Sequence, residues 1–309
     1  MPAQQSIGLA GTDPSLLGQR VLAAWDAFLD CAAAADLSRP SRLPGWTGRD
    51  VCVHLGSWDD EDPVADLLAA ARSGVTQDHP PSPDDLNARK LARHANVSVE
   101  EAMEAVRHAR ESVARAFQLP ELAELGVRPT MSTVGPLPLL THLHAGAYEL
   151  AVHALDLMPC GAPRPTHELL HAGIAALADV TGGLAARHNV RARVTSMTPQ
   201  GGWMFEAADG GWETFEVGPD APLSGAVIRA DEAVLLDASA GRVSVPPLLL
   251  DGRLKVHDMA MMLRLAPLLD EVPGLPGGGP LKVAVKVIGG VRGGASALLD
   301  RLRHHHGPA

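Results

Sequence analysis

Aromatic residues are scarce in this 309-residue chain: four Phe, five Trp and one Tyr, 3% of the total. The cores must therefore be built from Ala, Leu and Val, which suits closely packed helices. Cysteine is scarcer still. Cys31, Cys52 and Cys160 form an odd set without C-x-x-C spacing, which argues against a disulfide framework and for a reducing, cytoplasmic setting. Long apolar runs are missing: charge or Pro interrupts each one short of the ~20 residues that a membrane span requires. The opening "MPAQQSIGLAGTDPS" has neither the basic nor the apolar part of a signal peptide. No membrane association is expected. Basic residues are in deficit, 26 Lys and Arg against 36 Asp and Glu for a net charge of −10, so no nucleic-acid partner is expected. The ending "RLRHHHGPA" is short and reads as a solvated tail rather than a metal site.

What is present supports real cores. Hydrophobic residues make up 46% of the chain, which argues against wholesale disorder, and the length favours two domains. Asp13-Pro14 is a start signal for a helix over 15–36. Thr47 and Asp50 form a variant capping box that opens a second helix near Gly48, running through Cys52, His54 and Trp58 to about Arg72. The Pro- and Asp-rich "TQDHPPSPDD" follows as a loop. Ser98 and Glu101 form another capping box, for a helix to about Gln118. A long apolar helix is expected over 137–157, ended by "PCGAPRPT", and another over 167–188.

Beyond about residue 190 the texture changes. "GGWMFEAADGGWETFEV" alternates, with Gly210-Gly211 between two strand-like runs, a hairpin signal. "RADEAVLLDASAG" and "DMAMMLRLAPLLDEV" are helical, with "RVSVPPLLLDGRLKV" between them, and "LKVAVKVI" is a strand candidate. The expected organisation is a helical bundle over residues 1–190 followed by a smaller α+β domain over 191–309.

The segment "YELAVHALDL", residues 148–157, raises the central chemical question. Glu149 and His153 are four residues apart, hence on one face of a helix, within an otherwise apolar stretch. The same spacing at Glu104 and His108, among Arg107, Arg110 and Arg115, reads as an ordinary solvated pair. At 149–153 the apolar neighbours make an unpartnered carboxylate costly. A divalent cation would use both groups, given a third ligand from another helix. His54, in "WTGRDVCVHLGSW", is the best candidate, although a lone His on such a face is more often a satisfied core residue. Two His and one Glu leave an open coordination position, as catalytic zinc sites do. His142, seven residues before Glu149, shares its face and is a candidate fourth ligand. Glu61 is a candidate base or outer partner, Tyr148 a candidate proton donor, and Asp156 a candidate brace for the His153 imidazole.

These segments carry a family resemblance. "SRLPGWTGRDVCVHLGSW" resembles the PGWT-x-R-D-x-x-x-H-L opening of the mycothiol-dependent maleylpyruvate isomerase family, and "YELAVHALDL" resembles its E-x-x-x-H-x-x-D-L segment. That family belongs to the DinB/YfiT-like metalloproteins. The resemblance implies an antiparallel four-helix bundle with zinc ligands at His54, Glu149 and His153. It also implies mycothiol as the thiol cosubstrate. "LLLDGRLKVHDMAMMLRLAPLL" more weakly resembles the sterol-carrier-protein-like C-terminal module of these enzymes. Met259, Met262, Leu263, Ala266 and Leu269 recur there at helical spacing and read as core before they read as a lipid groove. One departure stands out. Where many members carry Arg just before the Glu of the second motif, this chain has "HAGAY", which favours a larger or less acidic substrate.

Rival motifs are weaker. "HELLH", residues 167–171, matches the H-E-x-x-H of zinc proteases, but Pro165 places it in a helix's first turn. Ile174 and Leu177 stand where a longer protease motif needs Gly and His. No Glu follows within 30 residues, so Glu168 reads as a first-turn acid that suits the helix dipole. "VIGGVRGGAS" lacks the Lys-Ser/Thr of a phosphate-binding loop and reads as a turn. Cys52 reads as core, and "WDDED" as a solvated face.

The resulting expectation is a cytoplasmic enzyme, monomer or homodimer, that holds zinc or another divalent metal at His54, Glu149 and His153. It would lower the pKa of a bound thiol so that the thiolate attacks a small unsaturated substrate, giving isomerisation or thiol transfer. Arg229, Arg253 and Arg264 are candidates for gripping a substrate carboxylate. The alternatives are metal-assisted chemistry without thiol and a non-enzymatic carrier or sensor of an apolar ligand.

Overall fold

A computed structural model describes residues 6–59, 61–74, 82–265 and 268. The strand candidate "LKVAVKVI", the glycine-rich "VIGGVRGGAS" and the histidine tail lie outside the described residues, as do Ala266 and Leu269 of the Met-rich stripe. The helical part comprises α1 (Pro14–Ala33), α2 (Gly48–Leu55), α3 (Pro63–Ser73), α4 (Pro83–Arg93), α5 (Val99–Phe117) and α6 (Leu122–Leu125). A short hairpin, β1 (Pro129–Ser132) and β2 (Gly135–Pro138), precedes α7 (Leu139–Asp156) and α8 (His167–Arg187). Then follow β3 (Ala192–Thr198), β4 (Gly201–Ala208), β5 (Gly211–Val217), β6 (Ala226–Arg229), α9 (Glu232–Ser239), α10 (Val245–Leu250), β7 (Lys255–His257) and α11 (Met259–Leu263). The chain is thus a helical N-terminal part followed by a mixed part built on a sheet.

Local chemistry sets these boundaries. Asp13 caps α1 by accepting from the Ser15 amide, with Pro14 at the first helical position. Ser98 and Glu101 complete a reciprocal capping box on α5. The apolar stripes of α1 (Leu17, Val21, Ala24, Phe28) and α5 (Met103, Val106, Ala109, Val113) are buried, at the i, i+3, i+4 spacing of an amphipathic helix. One expected helix is two. The chain leaves α2 at Gly56 in an extended conformation, and α3 restarts at Pro63 with Asp62 as its cap. Gly56 packs so closely on α5 that an added Cβ would lie 2.6 Å from Ala105 Cβ. Asp62 of "WDDED" accepts from the amides of Val64 and Ala65 and from the Ser112 hydroxyl, so part of that acidic run builds a helix start instead of a solvated face.

The larger sheet has strand order β5-β4-β3-β6-β7, with β3–β6 parallel and the other pairs antiparallel. Ala208 pairs with Gly211, so the hairpin turn is Asp209-Gly210, one residue earlier than the glycine pair indicates. Both turn residues have positive φ, 54° and 79°, the requirement of the tight two-residue turns whose twist matches the strands.

Helix α8 joins the two parts. One side meets α7, where Gly173 permits an approach that would put a Cβ 2.5 Å from Ala151 Cβ. The other side lies on β4 and β5: a Cβ on Gly182 would meet Trp212 and Phe205. Among the described helices α8 is long and apolar enough to cross a membrane, but 78% of its most apolar window is buried inside the protein. Two-sided packing explains its all-round hydrophobicity. Asp179 of α8 is fully buried and accepts from the Leu9 amide, the Trp212 indole and the Thr214 hydroxyl at 2.8–2.9 Å. This carboxylate ties the N-terminal segment and β5 to α8. A single hydrophobic cluster runs from Leu9 through both parts to Leu268.

Candidate metal centre

His54 is placed by the capping box that starts α2. The Asp50 amide donates to Thr47 Oγ1 at 3.3 Å, and the Thr47 amide donates to Asp50 Oδ2 at 2.8 Å. Eight residues of helix then carry His54 into the last turn, with the Trp46 ring edge-on 5.7 Å away. The end of α2 is fixed from outside. Lys90 of α4, only 8% exposed, donates to the carbonyls of His54 at 2.9 Å and Gly56 at 2.7 Å. A cation at a helix C-terminus satisfies carbonyls left over by the last turn.

Glu149 and His153 come from α7. His54 Nε2 lies 3.7 Å from Glu149 Oε2, His153 Nε2 lies 3.5 Å from the same oxygen, and the imidazole centroids are 5.0 Å apart. One ligand atom from each of the three residues lies within 4.8 Å of the other two. Ligands 2.0–2.1 Å from a tetrahedral zinc ion stand about 3.4 Å from one another, so the two measured separations are close to those of a coordination shell. The donor set, two imidazoles and a carboxylate, suits such an ion.

Glu149 is not the buried carboxylate that its apolar neighbours in sequence imply. Its side chain is 51% exposed, whereas His153 is 6% exposed and Asp156 fully buried. The carboxylate withdrawn from water is Asp156. It accepts from His153 Nδ1 at 3.0 Å, Arg42 Nε at 2.9 Å and Arg242 Nη2 at 2.9 Å. Arg42 reaches on to Asp237 of α9 through two further bonds, at 2.8 and 2.6 Å. With Nδ1–H donated to Asp156, the His153 Nε2 lone pair faces Glu149 and His54, the orientation that a ligand needs.

The electrostatics follow from these contacts. Burial is the largest influence on His54 and lowers its pKa, with Glu149 pulling the other way. Burial would lower His153 too, but Asp156 and Glu149 outweigh it and raise the value. Partial loss of hydration pushes the half-exposed Glu149 up, and the two imidazoles more than reverse it. Asp156 is likewise held below the usual carboxylate range by His153 and Arg242 against its burial. At neutral pH the centre therefore offers carboxylates in their charged form.

Other residues singled out in the sequence lie elsewhere. His142 Nε2 donates to the Thr130 carbonyl at 2.9 Å and faces the β1–β2 hairpin, outside the cluster. Glu61 stands beyond the end of α2, so helical spacing from His54 does not reach it, and it faces Arg93 at 3.5 Å. Tyr148 hydrogen-bonds Ser239 at 3.1 Å, and burial raises its pKa. Cys52 is fully buried beside Met103, its thiol pushed up to about 12 by burial. Arg229, Arg253 and Arg264 are all exposed, and none of them bonds to the centre. The arginines that reach it are Arg42 and Arg242. Arg42 sits inside the first motif, but nothing local marks its distant partners, and Arg242 follows the positive-φ Gly241. Lys90 was equally invisible, since its role depends on where α4 packs.

Fold and centre together define a helical bundle with a His-Glu-His cluster at its open side and a sheet-based part behind it. Residues 19–158, which include the whole cluster, match the family model of the mycothiol maleylpyruvate isomerase N-terminal domain. The likeness to that family read from the two motifs therefore holds. Two crystal structures of the mycothiol-dependent maleylpyruvate isomerase, one of a histidine-to-alanine mutant, share the fold. The mutant structure is 13% identical with a TM-score of 0.51, covering 81% of this chain and 95% of that one. The other is 14% identical with a TM-score of 0.51, covering 77% and 92%. No curated protein matches the sequence.

Proposed function

We propose that this protein is a divalent-metal enzyme, with zinc the best fit, that uses a low-molecular-weight thiol to isomerise, or transfer thiol to, a small activated unsaturated substrate. The observation that carries the reading is the convergence of His54 from α2 with Glu149 and His153 from α7, at 3.5 and 3.7 Å, on an edge where Glu149 is half exposed. The likeness of residues 19–158 to the mycothiol maleylpyruvate isomerase domain supports mycothiol as the thiol. We assign residues 1–190 as the metal-binding unit and 191–309 as a second unit that supplies contacts around it. A cytoplasmic location and small-molecule partners complete the proposal.

A bound divalent cation supplies a Lewis acid that lowers the pKa of a thiol placed beside it. The chain does the rest. Asp156 holds His153 with Nε2 directed at the ligand position, and Lys90 holds the end of α2 that presents His54. Thiolate addition to an activated double bond, rotation about the resulting single bond and elimination of the thiol give the cis–trans isomer and regenerate the thiol. Addition followed by protonation of the resulting carbanion, with no elimination, leaves the thiol on the substrate, which is thiol transfer. The absence of Arg in "HAGAY" favours a substrate larger or less acidic than maleylpyruvate.

The test is a substrate panel that includes maleylpyruvate, run with and without mycothiol, on the wild type and on His54→Ala. Thiol-dependent turnover that His54→Ala abolishes, together with stoichiometric metal lost in that variant, is the expected outcome. Turnover without thiol would replace the reading with metal-assisted chemistry. Unchanged metal in His54→Ala would remove the site.

A further inference from the structure

The geometry points to a second divalent-cation site in this chain, formed by His167, His171 and Glu232. One ligand atom from each lies within 4.8 Å of the other two. His167 Nδ1 is 2.6 Å from Glu232 Oε1, and the two imidazole centroids are 5.2 Å apart. His167 and His171 are the histidines of "HELLH", four residues apart and hence on one face of α8. The carboxylate that the motif lacks nearby in sequence comes from α9, which the fold lays against the start of α8. Glu232 is only 11% exposed and His171 16%, while His167 at 42% leaves a path for the ion.

An unpartnered atom supports the site independently. His171 Nδ1 is buried and has no hydrogen-bond partner. Its other nitrogen is contested: the Trp203 indole donates to it at 2.9 Å, while Glu216 Oε1, 3.1 Å away, can only accept from it. A cation held by Nδ1 would leave the ring proton on Nε2, which would then donate to Glu216, and the Trp203 indole would lose its acceptor. An imidazole–imidazole–carboxylate set suits zinc, nickel or cobalt better than magnesium or calcium. The positive end of the α8 dipole opposes the ion, and the Glu232 charge answers it.

The site is not that of a protease. Glu168, which would have to act as the base, is exposed and bonded to the helix cap at Thr166. A structural role fits the placement. Helix α9 also carries Asp237 and Ser239, the partners of Arg42 and Tyr148. A cation joining α8 to α9 would fix the element that backs the first cluster.

The experiment uses the full chain with His54→Ala and His153→Ala to disable the first cluster, and with His304→Ala, His305→Ala and His306→Ala to silence the tail. Titration with Co2+ is followed by its visible absorption. One equivalent bound per chain, with a rise in melting temperature, is expected. Adding Glu232→Gln, an isosteric change that preserves the fold, should weaken binding about tenfold or more, and His171→Ala should abolish it. No binding in the parent background, or binding unaffected by both substitutions, overturns the site. The chain with the tail silenced and both clusters intact separates this inference from the proposed function: two equivalents if both centres bind, one that is sensitive to Glu232→Gln but not to His54→Ala if only the second does, and one with the reverse pattern, which overturns this inference, if only the first does.

Discussion

Glu104 with His108 on α5 and Glu149 with His153 on α7 have the same spacing and almost the same separation, 3.4 Å and 3.5 Å. Helical periodicity sets that distance and nothing more. On α5 both partners are half exposed, and Glu104 is also held by Arg107 at 2.8 Å. On α7 the histidine is withdrawn from water, its far nitrogen is held by a buried aspartate, and an imidazole from another helix faces the same carboxylate oxygen. What sets the second pair apart is what the fold places around it.

The comparison can be broken most sharply at the histidines. His153→Ala should remove the metal and reduce thiol-dependent turnover by about a thousandfold or more, whereas His108→Ala should change neither. Elemental analysis and initial rates on the two variants decide it. Next in size is the brace. Asp156→Asn leaves Arg42 and Arg242 facing an uncharged amide in a buried setting, at a cost of about 3–5 kcal/mol in denaturant unfolding. It should also weaken metal binding by roughly 10–100-fold.

His142, on α7 but outside the cluster, carries a pH-dependent contribution to stability. Burial depresses His142 to about 4 from an ordinary value of 6.5. Its neutral form is favoured by folding, so its contribution is full above pH 6.5 and is lost as pH falls towards 4. That contribution is on the order of 3 kcal/mol at most. His142→Gln keeps a donor for Thr130 and cannot titrate, so its unfolding free energy should fall less than that of the wild type between pH 6.5 and 4. The smallest effect belongs to the solvated pair: Glu104→Gln should shift stability by about 0.5 kcal/mol or less.

Much of the helical part was legible because its signals are local. The capping boxes at Thr47/Asp50 and Ser98/Glu101 and the stripe on α5 state where helices begin and which face is buried. The two motifs also name the three residues that the fold brings together. What was not legible depends on distant contacts. "PTMSTVGPLP" folds into the β1–β2 hairpin, which takes Leu137 and Pro138 from the helix expected over 137–157. The break after His54 comes from the close approach of Gly56 to α5. The burial expected of Glu149 belongs to Asp156, because the apolar neighbours of Glu149 point into the bundle while its own side chain reaches the open edge. Arg42, Lys90 and Arg242 bond to groups 34 to 195 residues away in the chain, and Glu232 joins the histidines of "HELLH" from a separate helix.

The alternating row of charges that begins at Asp156 and passes through Arg42 to Asp237, with Arg242 on its flank, has one further consequence. All three ligand candidates precede residue 190, so the first 190 residues look self-sufficient on paper. Cut there, the protein would lose Arg242 and Asp237 together, one of each sign. Asp156 would keep two partners out of three, and the Arg42 guanidinium would lose two of its three side-chain hydrogen bonds. Excision would leave the candidate ligands in the chain but slacken the mooring of one of them.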